Sequence, residues 1–289
     1  MPEKITIVQV GGNIESALKG DYQINVQAIL SEAWQQTLKS RLAINLGLLF
    51  SFVLGVLVSY IVSSYFGGIA EVIKNPEATM LLNIVVTIAI WPFIAGVEMM
   101  GVLHAVGMKT DVKTTFAFLK RASWVIICTL FTSVLTNLGF QLFIIPGIFL
   151  VVTLSLTVPL VIEKKMSPMR AIILSVQSLR FKFLSLFSLY FILFMSLIVL
   201  LLPIVLLIES SFIPLGIMIF LFGISFLAPL FYNVKGIVYR EVFGISLATN
   251  NVVGNDLNSH SDLSEESSEK NSEKIKEKFN SDPDDTFSA

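Results

Sequence analysis

Chemistry in this chain would have to come from the few polar residues set inside apolar stretches. Glu98, in "GVEMMGVLH", falls near the end of the apolar run Met80–Val102. A carboxylate within such a run is a functional candidate by default, because its burial is costly unless a partner compensates it. About one helical turn from the end of the run, Glu98 is placed to reach Lys109 or Arg121. A structural ion pair with one of these is the first expectation, and a proton or substrate role is the alternative. His104 lies six residues on, so a helix turns it away from the Glu98 face and no dyad is expected within that helix. Asn137 and Gln141 are four apart and would share one polar strip on the third apolar run. With Glu98 they make the candidate intramembrane polar site. Thr153, Ser155 and Thr157 alternate and cannot all share a helical face.

Other chemistries are not supported by the pattern. HExxH, CxxC, the phosphate-binding P-loop and a Rossmann glycine fingerprint are all missing. With His104 and His260 as its two histidines and Cys128 as its one cysteine, the chain has little with which to build a metal site or a His-based triad. No catalytic, cofactor-binding or metal-ligating residue is expected, and no nucleic-acid partner. Cys128, inside an apolar run, reads as a small buried residue.

The elements that must hold these residues are legible from composition. The 289 residues are 54% hydrophobic and 14% charged, against about 25% charged for soluble domains. An all-α polytopic membrane protein is expected, because the alternation of a β-barrel is lacking. Six runs are long enough to span: Leu42–Phe66, Met80–Val102, Trp124–Ile145, Pro146–Ile162, Phe183–Ile208 and Phe212–Tyr232. Charge distribution selects six over five. Lys39, Arg41, Lys109, Lys113, Lys120, Arg121, Lys164, Lys165, Arg170, Arg180, Lys182, Lys235 and Arg240 then all fall on one side, which the positive-inside rule makes cytoplasmic together with both termini. That count requires a reversal at Pro146-Gly147, since proline removes a helix donor and glycine accepts left-handed backbone. Gly96 and Gly101 offer close helix approach, and Trp91-Pro92, Pro203 and Pro229 are kink sites. The opening residues do not read as a secretory leader.

Three stretches precede the odd-numbered spans: Gln23–Lys39, Asp111–Arg121 and the helix opened by Ser167-Pro168. Their apolar residues at helical spacing suggest short amphipathic helices in the headgroup layer. The organisation expected is a cytoplasmic N-terminal segment (1–41), a six-span domain (42–240) and a cytoplasmic tail (241–289). From about residue 251 the tail is acidic and too poor in large apolar residues to order.

Residues 144–183, "IIPGIFLVVTLSLTVPLVIEKKMSPMRAIILSVQSLRFKF", resemble the core of the YciC-like bacterial inner-membrane proteins. The shared pattern is a Pro-Gly-Ile turn, a span ending in proline, a charged stretch, then Ala and Ser on a basic helix. Here these are Pro146, Gly147, Ile148, Pro159, Glu163, Lys164, Ala171 and Ser175. "ILSEAWQQT", Ile29–Thr37, also looks like an entry helix of such proteins, and similar patterns occur in membrane regions attached to some glycerophosphodiester phosphodiesterases. The resemblance implies a multi-pass protein of the bacterial inner membrane and supplies no activity. The expectation is therefore a non-enzymatic protein of envelope or membrane maintenance. Its partners would be membrane lipids, a membrane protein or a second copy. The alternative is a small transporter or permease component using Glu98 and the polar residues of span three.

Overall fold

The structure, a computed structural model, describes residues 6–249. The chain divides into two units. Residues 1–9 and 246–289 form one, seen through β1 (Thr6–Val10) and β2 (Ile245–Thr249), which pair in a two-stranded sheet that the apolar periodicity did not announce. The acidic tail expected to lack order lies outside the described residues.

Val10–Ile245, the other unit, holds every described helix, and six helical segments are long and apolar enough to cross a membrane. It is a helical membrane-protein fold. After the short α1 (Ile14–Lys19), the first span is α2, an unbroken helix from Val26 to Tyr65. The expected headgroup-layer helix over 23–39 is therefore a straight extension of span one. Asn25 caps it by accepting from the Ala28 amide, and Gln36, Thr37 and Ser40 carry the helix on without a breaker. Its buried stripe is Ile29, Ala33 and Thr37, while Trp34 and Leu38 are exposed. The next elements are α3 (Ile69–Lys74) and α4 (Pro76–His104), which runs through Pro92 without ending. Then α5 (Thr114–Ala117) and a 3-10 turn (119–121) lead into α6 (Ala122–Leu142). Thr115 lies against Gly47 of α2 and Gly96 of α4, and Phe116 meets Phe50 and Phe93 edge-on, so this stretch wedges between two spans rather than floating on a surface.

The fourth span is discontinuous. Its halves are α7 (Ile144–Thr153) and α8 (Thr157–Glu163). The reversal into α7 occurs at Phe143, whose extended backbone (φ −161°, ψ 160°) interrupts the helix. Pro146 and Gly147 sit in the first turn of α7, three residues later than the expected turn. There the missing proline amide costs nothing, since the first four amides of a helix have no helical acceptor. Gly147 instead lets the antiparallel arms meet, its backbone lying against Gly139 and Phe140 of α6. The rest comprises α9 (Pro168–Leu179), a 3-10 turn (180–182), α10 (Phe183–Leu207) and α11 (Ile213–Phe243). On α9, Ala171 and Ser175 are fully buried as the helix packs on α7 and α8. Tyr22 ties the N-terminal segment to α9 by donating to the Ser178 carbonyl at 2.8 Å, and burial pushes its phenol up to about 12.

At the end of the bundle shared by the start of α2 and the ends of α4 and α11, Arg240 closes the three helices. Its guanidinium grips both Glu32 carboxylate oxygens at 2.6 and 2.9 Å and donates to the Ala105 carbonyl at 2.6 Å. Deeper in, α4 and α11 cross with their backbones in contact at Gly101 and Gly236. A Cβ at Gly101 would overlap the Tyr232 carbonyl, and one at Gly236 would overlap the Gly101 carbonyl. Neither obstacle is a flexible side chain, so the helices would have to separate. We predict that Gly236→Ala costs about 2 kcal/mol or more in denaturation of the solubilised protein. Gly55→Ala, whose added methyl would meet only the Ile90 side chain at 3.4 Å, should leave stability within about 1 kcal/mol of the parent.

Candidate functional site

Three elements converge beside the α4–α11 crossing. Glu98 and Lys235 lie on the two crossing helices, and the Lys235 Nζ donates to Glu98 Oε1 at 2.6 Å. Both residues are buried, Glu98 4% and Lys235 8% exposed. Glu98 is thus paired, but with neither expected partner. Lys109 lines a different pocket, and the Arg121 guanidinium reaches the Val161 carbonyl. The reason lies in α11, which continues to Phe243 and so carries Lys235 as a buried helical residue instead of a charge beyond the last span. The glycine crossing then brings together residues 137 positions apart.

The ion pair forms one end of a cavity of about 300 Å³. One wall is α6, which presents Thr129, Thr132, Ser133, Thr136 and Asn137 to it. These recur at i, i+3, i+4, i+7 and i+8, the spacing of a single helical face. The stripe extends over about 12 Å of helix. Trp91 of α4 and Val151, Leu154, Ser155, Thr157 and Val158 of the broken span complete the lining. Asn137 lines this cavity together with Glu98. Gln141 does not: it is exposed and lies beyond the lining, and the strip that Asn137 belongs to runs from it toward Thr129. The hydroxyls of that strip recur at helical spacing in the sequence, a signal weaker than that of charged and amide groups.

The break in span four explains how both Ser155 and Thr157 reach the cavity. Pro159 has no amide to donate to the Ser155 carbonyl, and its ring clashes with a helical carbonyl at that position. The helix therefore unwinds over Leu154–Leu156. Side chains take over the loosened backbone groups. The Thr153 hydroxyl donates to the Phe149 carbonyl at 2.7 Å, that of Ser155 to the Val152 carbonyl at 2.8 Å, and that of Thr157 to the Leu154 carbonyl at 2.8 Å. Ser175 donates from α9 to the Thr153 carbonyl, and Tyr190 of α10 donates to the Ser155 hydroxyl at 3.1 Å. Just past the break, the Tyr239 hydroxyl donates to Glu163 Oε2 at 2.8 Å.

A second polar cluster occupies the opposite side of the crossing, toward α2. One His104 nitrogen, Nδ1, lies 2.8 Å from the Asn233 side-chain oxygen and 3.3 Å from the Ser40 hydroxyl, and Nε2 lies 2.7 Å from the Thr110 hydroxyl. Asn233 also donates to Thr37 at 3.0 Å. As expected, His104 makes no contact with Glu98. This cluster satisfies its own members, whereas the Glu98 site keeps capacity in reserve: Glu98 Oε2 and the Thr129 hydroxyl are both buried without a protein hydrogen bond.

Removing one member of a buried ion pair strands the other, at a cost of about 3–5 kcal/mol, whereas replacing both with apolar residues is far milder. Lys235→Met is therefore expected to lower the denaturation midpoint of the solubilised protein sharply. The double variant Glu98→Leu with Lys235→Met should recover most of the loss; failure to recover would show that the two side chains are not energetically coupled. No protein-family model matches this chain, and neither does any curated protein or solved structure.

Proposed function

We propose that this protein is a small membrane transporter or permease component that holds a polar solute or headgroup in the cavity above the Glu98–Lys235 pair. The observation that carries the reading is the α6 stripe. A purely structural ion pair would be enclosed by apolar packing, but here five hydroxyl and amide residues on one helix face share a cavity with it. Polar groups are costly inside a membrane and are retained where they bind or conduct. The broken fourth span fits the same reading, since irregular backbone at membrane depth is tolerated where it lines a cavity. The volume lies at the lower end of the range for small-molecule sites.

A role in envelope or membrane maintenance through lipid contacts is the second reading. It is favoured by a pocket at the basic end of the bundle, where Lys39, Lys109, Ser40 and His104 sit above Leu42 and Leu46. The charge distribution supports a cytoplasmic placement of that end, with both termini, and the likeness of residues 144–183 to the YciC-like proteins supports a bacterial inner membrane.

Two measurements test this. In a Cys128→Ala background, single cysteines at Lys109 and at Glu209 should label from opposite sides of oriented vesicles, Glu209 from outside; labelling of both from one side would exclude six spans in this orientation. For carriage, the triple variant Thr132→Val, Thr136→Val and Asn137→Leu should fold and insert normally. It should also fail to rescue whatever phenotype deletion of the intact protein produces. Full rescue would remove the cavity from the function.

A further inference from the structure

The chemistry of the cavity narrows what it accepts, and this step rests on the carriage reading above. Glu98 lines the cavity and uses Oε1 for Lys235, while Oε2, in a residue 4% exposed, is buried and has no protein donor. A carboxylate oxygen is an acceptor only, so it calls for an N–H or O–H from the ligand. The Thr129 hydroxyl, also buried and without a partner, lies in the same wall. Lys235 has three N–H donors, and one is used by Glu98. The remaining two call for acceptors.

The pair itself is neutral overall. A ligand with net charge would carry that charge uncompensated into a site of low dielectric, at considerable cost. A ligand with no charge would leave the two strongest groups facing weaker partners than charge-assisted bonds supply. We infer that the cavity takes a zwitterion with a primary ammonium, which donates to Glu98 Oε2 and the Thr129 hydroxyl, and an adjacent phosphate or carboxylate oxygen that accepts from Lys235. The other stripe hydroxyls and Asn137 then contact the remainder of the ligand toward the end of the cavity where Ser133 and Asn137 are exposed. Such a group comes from two sources, a free amino acid or phosphoamine, or the headgroup of an aminophospholipid whose chains stay in the bilayer.

The experiment is a ligand titration of the full-length protein in detergent micelles and in phosphatidylcholine nanodiscs, read by thermal unfolding and by calorimetry. At about pH 5, below the second phosphate pKa of about 6, where ethanolamine phosphate is close to net neutral, ethanolamine phosphate and glycine should stabilise the protein saturably. Phosphocholine, which has the same charges but no N–H on its ammonium, should bind at least tenfold more weakly than ethanolamine phosphate. Methylamine, acetate and glycerol should give no saturable shift. If the source is a lipid, nanodiscs containing phosphatidylethanolamine should stabilise the protein while the soluble probes act only weakly, and the phosphatidylcholine discs should not. Thr129→Val, which leaves the ion pair intact, should weaken ethanolamine phosphate or phosphatidylethanolamine binding about five- to tenfold with an unchanged midpoint in the absence of ligand. Glu98→Gln should weaken it more, and Thr129→Val keeps the test informative should that variant fold poorly. Equal binding of phosphocholine and ethanolamine phosphate, or a saturable shift with glycerol alone, would overturn the zwitterion assignment and leave the cavity reading standing. Absence of any saturable ligand, together with full rescue by the α6 triple variant, would overturn both.

Discussion

The close crossing of α4 and α11 is the constraint on which this membrane domain turns. In hydrocarbon, helices gain little from burying apolar surface against one another, since lipid serves as well, so association depends on close packing and on polar contacts. Gly101 and Gly236 supply the first by letting two backbones touch. The second follows from it. With the axes this close, Lys235 reaches Glu98 on one side and Asn233 reaches His104 on the other. The two polar clusters are thus separate products of one contact, and a side chain at either glycine would loosen both.

Around that crossing, the fourth span plays a part that its shortness conceals. Several residues of the stretch 144–183 have a place in its architecture. Gly147 allows α7 to lie against α6, Pro159 interrupts the helix, Glu163 accepts from Tyr239, and Ala171 with Ser175 lets α9 approach the interruption. Contacts of this kind are what a discontinuous span requires in order to satisfy its backbone within a membrane.

Much of the fold was legible in the sequence because hydropathy and charge speak directly to insertion. Six apolar runs, separated by alternating basic and acidic loops, carry the span number without help from tertiary contacts. What escaped is what depends on neighbours. Asn25 to Tyr65 contains no breaker at Lys39 or Arg41, so the helix simply continues where a charge boundary suggested a change of direction. The reversal at Phe143 had no proline or glycine of its own to mark it. Glu98 stands out in the sequence as a carboxylate within an apolar run, but nothing local says which distant lysine a helix crossing will deliver. Asn137 was found by its amide, whereas Thr129, Thr132, Ser133 and Thr136 were hidden by the ease with which hydroxyls bond their own helix. Gln141 illustrates the reverse error: correct periodicity with Asn137, but a position past the cavity.

The separation of Glu98 from Lys235 also bears on how the protein is made. Chains grow from the N-terminus at about 5–20 residues per second, and the carboxylate precedes its counter-ion by 137 positions. For on the order of ten seconds, α4 exists while α11 does not. During that interval Glu98 has to wait at the lipid boundary, keep a proton, or be sheltered by the insertion machinery. Only α11, the last described helix, completes the neutral pair, so the surroundings of Glu98 are settled late in synthesis.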